Sequence, residues 1–181
     1  MPRLFTALEV PADLALRLSF LKGGLRGARW IVPDNFHITL RFIGDVEGPV
    51  ADAIAESLAR IDRPRFDLTV DGLGSFGTRK PHSLWARVVP DTALLELQAE
   101  QERVIQRAGL PPEGRKYTPH ITLARLRGAT QAETAGWLAL RGEFGPVSFP
   151  ITRFVLLSSR ASVGGGPYIV EDAYDLLDSA A

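Results

Sequence analysis

One tetrapeptide is written twice in this chain: His37-Ile38-Thr39-Leu40 recurs letter for letter as His120-Ile121-Thr122-Leu123. In an extended strand successive side chains point to opposite faces, so His37 and Thr39 share one face while Ile38 and Leu40 share the other. The second copy sets His120 and Thr122 against Ile121 and Leu123 in the same way. Each copy therefore reads as a strand with an apolar face fixed to a core and a polar face carrying an imidazole and a hydroxyl. The chain has three histidines, and two of them stand in this one context. The expectation is that the two polar faces meet across a single cleft.

The segments around the repeat supply the rest of the fold. Residues 4–10 read as a first strand stopped by Pro11, and Asp13 is placed to cap a helix running to about residue 25. Residues 30–32 are a short extended piece, followed by a turn at Pro33-Asn35 and a first motif strand over 36–44. Val50, Ile54, Leu58 and Ile61 recur at helical spacing. Residues 66–70 alternate as a strand, and Gly72, Gly74 and Gly77 then loosen the chain before a strand at 83–89. Leu94, Leu97, Gln101, Val104 and Ile105 predict a helix from 91 to 108, capped by Asp91 and stopped by Gly109. The second motif strand covers 118–126, a short helix 131–138, and closing strands 144–149, 151–159 and 168–176, the last two joined by a turn at 164–167. The order strand, helix, motif strand, helix occurs twice, before residue 63 and between 83 and 138. Mixed elements with hairpin-like links predict an α+β fold. We expect one bilobal domain over residues 1–181, a pseudo-twofold duplication with two mostly antiparallel sheets flanked by helices and the catalytic cleft between them.

Composition narrows the chemistry. A formal net charge of zero excludes a generally basic nucleic-acid binder but not a local basic cleft. The absence of cysteine excludes disulfides, zinc–thiolate sites, iron–sulfur clusters and cysteine nucleophiles. No stretch approaches the roughly 20 apolar residues of a membrane span, so the expectation is a soluble, cytoplasmic protein with no membrane partner.

Histidine titrates near neutral pH, so two in one cleft allow one to act as general base while the other acts as general acid. The two threonine hydroxyls can hold anionic oxygens. That set suits a phosphodiester: one imidazole deprotonates water, the other protonates the leaving oxygen, and neither a metal nor another cofactor is required. Two rival readings are a noncatalytic binder that keeps the cleft without turnover and a metal site built from His37, His120 and Asp34 or Asp45. No compact ligand spacing supports the second.

The paired His-x-Thr-Leu motifs resemble the two-histidine phosphoesterase superfamily, and within it the RNA 2′,3′-cyclic phosphodiesterases, also known as 2′–5′ RNA ligases. The resemblance runs nearly end to end, through Leu4-Phe5-Thr6-Ala7, the approach Trp30-Ile31-Val32-Pro33-Asp34-Asn35-Phe36, the exit Arg41-Phe42-Ile43-Gly44-Asp45-Val46, the second motif from Tyr117 to Arg125, and the region of Ser158 and Tyr168. It implies hydrolysis of RNA 2′,3′-cyclic phosphate ends to 2′-phosphates. His37 would be the proton donor and His120 the proton acceptor, with Thr39 and Thr122 holding phosphate. It also implies 2′–5′ ligation without ATP, acting on RNA ends or small 2′,3′-cyclic nucleotides, and we expect a monomer.

Arg125, Tyr117 and Arg41 are further candidates for substrate contact. Strict alternation turns Arg125 away from His120, so a bulge must re-aim it if it is to serve the cleft. Arg41 shares the parity of His37. Phe42 and Trp30 read as core residues, whereas Tyr117, beside Arg115 and Lys116, reads as a binder. His82 departs from the arginine-rich approach of relatives and is given no catalytic role; inside the cleft it would alter substrate preference.

Overall fold

Both tetrapeptides lie in strands at the centre of the sheet, with three strands on either side of them. The computed structural model describes residues 3–159 and 166–178. Its elements are β1 (Arg3–Glu9), α1 (Ala12–Ser19), β2 (Ala28–Trp30), β3 (His37–Asp45), α2 (Gly48–Leu58), β4 (Phe66–Phe76), β5 (Ser83–Val88), α3 (Thr92–Arg107), β6 (His120–Leu126), α4 (Gln131–Arg141), β7 (Val147–Ile151), β8 (Arg153–Ser159) and β9 (Tyr168–Asp175). A 3₁₀ turn, Pro33–Asn35, precedes the first motif.

The strand order is β7-β4-β5-β6-β3-β1-β8-β9, with β2 added to β6. Every pairing of named strands is antiparallel. The order reads the same from either end: motif strands β3 and β6 in the middle, β1 and β5 outside them, then β8 and β4, then β9 and β7. The α+β architecture expected from the sequence is the one observed. The two halves are joined, however, because β3 and β6 pair at Ile38 and Ile121. From Ala124 onward β6 pairs with β2 instead, and Ile31 N–H donates to Leu123 O at 2.9 Å. With β2 occupying that edge, β3 and β6 diverge and a cleft opens between them.

The apolar parity of the motifs explains why the strands sit where they do. Ile38, Leu40, Ile121 and Leu123 are each 2% exposed or less and belong to one core cluster shared by both halves. Helix α3 forms as its spacing predicts: Leu94, Leu97, Gln101, Val104 and Ile105 are its buried residues, and Leu94 N–H donates to Asp91 Oδ1 at 2.9 Å. Helix α4 starts on a capping box between Thr130 and Glu133.

Two local expectations change. Helix α1 ends at Ser19 rather than near residue 25, with Gly23 and Gly24 at positive φ. The Gly23 carbonyl accepts from Trp137 Nε1 and from Arg141, both at 2.8 Å, which commits the segment to α4. Strand β4 continues through Gly72 and Gly74 to Phe76. Gly74 is needed there because the Trp85 ring of β5 lies across it, where a Cβ would collide. The predicted turn at 164–167 lies partly outside the described residues.

Candidate active site

Strict alternation fails at the same place in both motif strands. In β3 the pairing with β1 shifts between Ala7↔Thr39 and Thr6↔Arg41, leaving Leu40 as an extra residue. In β6 the pairing with β5 shifts between Trp85↔Thr122 and Leu84↔Ala124, leaving Leu123 as the extra residue. A bulge of this kind exchanges the faces of everything that follows. His37, Thr39 and then Phe42 therefore face the cleft, as do His120, Thr122 and then Arg125. The bulge that Arg125 requires is present, and Arg125 lines the cavity that holds both histidines.

The same bulge turns Arg41 away from that cavity, contrary to the parity expectation. Its side chain is 7% exposed and forms an ion pair with Glu102 of α3. It also donates to Phe42 O and, at 2.7 Å, to Pro111 O. Glu102 Oε1 in turn accepts from Glu113 N–H at 3.0 Å and from Gln106 Nε2 at 2.7 Å. Burial pushes the Glu102 carboxyl up, but these hydrogen bonds and the Arg41 charge hold it below the usual range. Arg41 is thus a clamp between the first motif strand and the chain leading into the second. Tyr117 is a second clamp: its hydroxyl donates to Thr39 O at 2.9 Å, and burial pushes its phenol up, so it stays a donor. Its ring lines a neighbouring cavity of about 420 Å³.

The two histidines are held alike. His37 Nδ1 lies 2.9 Å from Asn35 O, and His120 Nδ1 lies 2.6 Å from Thr118 O. A carbonyl only accepts, so each Nδ1 carries the hydrogen and each Nε2 is the nitrogen available for proton transfer. His37 Nε2 is 3.1 Å from Thr39 Oγ1. Aromatic rings from neighbouring strands fix both imidazoles. Phe5 and Tyr168 stand 5.1 and 5.0 Å from His37, and Phe76 and Trp85 stand 4.9 and 6.2 Å from His120. None of these four rings was singled out as a site residue from sequence; Phe5 and Trp85 pair with Phe42 and Thr122 across the strands, a relation that appears only once register is known.

Both histidines and both threonines line one cavity of about 650 Å³, together with Arg3, Arg115, Arg125 and Phe42. Phe42 is 53% exposed there, not buried, whereas Trp30 packs on Trp137 with centroids 5.7 Å apart. His82 lines both cavities. Among the described residues no three histidine or carboxylate side chains come together as metal ligands; Asp45, the carboxylate in the cavity wall, lies 3.7 Å from Arg3. Burial lowers the pKa of His37, opposed by its carbonyl partner and reinforced by His120 and Arg125. Burial likewise lowers that of His120, opposed by Thr118 O and reinforced by Arg125.

The sequence model of the 2′-5′ RNA ligase superfamily matches residues 31–162, a span that holds both motif strands. The chain belongs to this superfamily. A member from Thermotoga maritima, named RNA 2′,3′-cyclic phosphodiesterase, is 31% identical over 178 residues, covering 93% of this chain and 92% of that protein. A namesake from Aeropyrum pernix is 44% identical over 98 residues, covering 53% of this chain and 56% of that protein. Among solved structures, LigT of Escherichia coli complexed with 3′-AMP superposes with a TM-score of 0.76 at 26% identity, covering 97% of this chain and 99% of that one.

Two predictions follow from this superfamily member's geometry. The Arg125 charge depresses both histidines, so Arg125→Gln should move both limbs of the kcat/KM–pH profile to higher pH; limbs that stay in place would contradict the electrostatic reading. Glu102→Ala strands a buried guanidinium and should cost about 3 kcal/mol in urea unfolding. The double variant Arg41→Met/Glu102→Met should recover most of that loss, since it removes both charges.

Proposed function

We propose that the chain hydrolyses the 2′,3′-cyclic phosphate at an RNA 3′ end to a 2′-phosphate, by metal-independent acid–base catalysis between His37 and His120. The observation that carries this reading is the matched pair of imidazoles, each with Nδ1 held by a backbone carbonyl two residues earlier and each lining one cavity. The names of the relatives support the same substrate class.

The cyclic phosphate sits between the two Nε2 atoms. Thr39 and Thr122 hydroxyls and the Arg125 guanidinium hold its non-bridging oxygens. His120 Nε2 takes a proton from water as the water oxygen bonds to phosphorus. The bond from phosphorus to the 3′ oxygen breaks, and His37 Nε2 gives that oxygen its proton. The assignment of donor and acceptor follows the family resemblance, because the two sites are alike in their local geometry. Burial and Arg125 keep both imidazoles readily deprotonated, which suits the base. A phosphate anion beside His37 opposes this and favours the protonated acid. A 5′-hydroxyl of a second RNA in place of water, deprotonated in the same way, gives a 2′–5′ linkage without ATP.

His37→Ala and His120→Ala should each lower turnover of adenosine 2′,3′-cyclic phosphate by about 10²- to 10⁴-fold. The wild type should retain full activity in EDTA and release the 2′-phosphate. Loss of activity on chelation, or a 3′-phosphate product, would sink the mechanism.

A further inference from the structure

A second apolar cluster, separate from the main core, lies on the cleft face of the sheet. Phe5, Ala7, Val155 and Leu157 form it, and Tyr168 packs against it. Their neighbours in β1 and β8, Leu4, Leu8, Phe154 and Leu156, belong to the main core, so alternation puts the small cluster on the opposite face. That face is the cleft wall: Phe5 and Tyr168 line the cavity together with His37. The cluster ends in three rings that close on one another. Phe5 and Tyr168 meet edge-on with centroids 5.2 Å apart, and Tyr168 meets the His37 imidazole edge-on at 5.0 Å and 82°.

Two residues before Tyr168, the backbone of Gly166 lies on the side chain of Asn35. Gly166 has φ +94°, and a Cβ built on it would stand 2.3 Å from Asn35 Nδ2 and 2.5 Å from Asn35 Cγ. Only glycine allows both that conformation and that approach. Asn35 is the residue whose carbonyl accepts from His37 Nδ1 at 2.9 Å. The segment 166–168 therefore reaches His37 twice, once through the residue that sets its tautomer and once on the ring itself. We propose that Gly166 and Tyr168, at the entry to β9, are positioning residues for His37: the first holds Asn35 and its carbonyl in place, the second holds the plane of the imidazole, and together they aim Nε2 at the departing oxygen. The aim at a leaving oxygen rests on the cyclic-phosphodiesterase reading above; the hold on the imidazole rests on the packing alone. Neither residue touches the reacting atoms in this role, and both act through His37.

The test compares the wild type with Tyr168→Leu, Tyr168→Phe and Gly166→Ala. On adenosine 2′,3′-cyclic phosphate, kcat should fall about ten- to a hundredfold in Tyr168→Leu and Gly166→Ala with KM little changed, because a misaimed proton donor leaves binding alone. Tyr168→Phe, which keeps the ring, should recover most of the loss seen in Tyr168→Leu. Nitrogen NMR of the imidazole rings gives a readout independent of turnover. In Gly166→Ala, His37 should lose its dominant Nδ1–H tautomer. In Tyr168→Leu its pKa should rise, since burial is the largest influence on it, ahead of Asn35 O, His120 and Arg125. His120 should keep its tautomer and pKa in both. Both histidines moving together, a His37 that does not respond, or a Tyr168→Phe as slow as Tyr168→Leu would overturn the proposal. If Gly166→Ala does not fold, the two Tyr168 variants decide alone. A wild type that opens no cyclic phosphate, while His37 alone responds to the substitutions, keeps the positioning and rejects the reaction.

Discussion

The two motif strands of this protein pair with each other at one residue pair, Ile38 and Ile121, and the geometry of the site depends on how that contact is braced. A single bridge does not fix the separation or tilt of two strands. The bracing comes from the segments that lead into each motif, and each crosses to the opposite strand. The approach to His37 runs as β2 along β6. The approach to His120 is tied to β3 by Arg41 at Pro111 and by Tyr117 at Thr39. Each histidine is therefore positioned by a segment anchored on the other half. Asn35 and Thr118, whose carbonyls set the imidazole tautomers, belong to these crossing segments.

The bulges complete the arrangement. Without them the position five residues after each histidine would face the core. With them one half offers Phe42 and the other Arg125, so a symmetric backbone presents an apolar surface on one side and a guanidinium on the other. An anion in such a cleft would be drawn off-centre, toward the guanidinium. The repeated motif thus keeps a matched pair of histidines and threonines but gives up symmetry at the fifth position after each histidine.

Much of this was legible in the sequence. Period-two alternation identified the motif strands and their buried faces, and helical spacing with an Asp91 cap identified α3, because those signals act over a few residues. The identity of the two tetrapeptides brought His37, Thr39, His120 and Thr122 to one cavity on paper before the fold was known. What escaped is set by distant partners. Arg41 has the parity of a cleft residue, and only the extra residue at Leu40 turns it toward Glu102. Gly74 reads as a breaker, yet it sits inside a strand so that Trp85 can lie across it. Phe42 reads as core and is exposed for the same reason that Arg125 lines the cavity. A bulge leaves little trace in local composition; its signature is the register of a neighbouring strand.

The central claim is a division of labour: one imidazole protonates the leaving oxygen while the other activates water. A cyclic substrate in which sulfur replaces the 3′ oxygen tests it most directly, since a thiolate departs without needing a proton. Turnover of that compound should be largely restored in His37→Ala and remain low in His120→Ala. Equal rescue of both variants, or of neither, would contradict the assignment of His37 as acid and His120 as base.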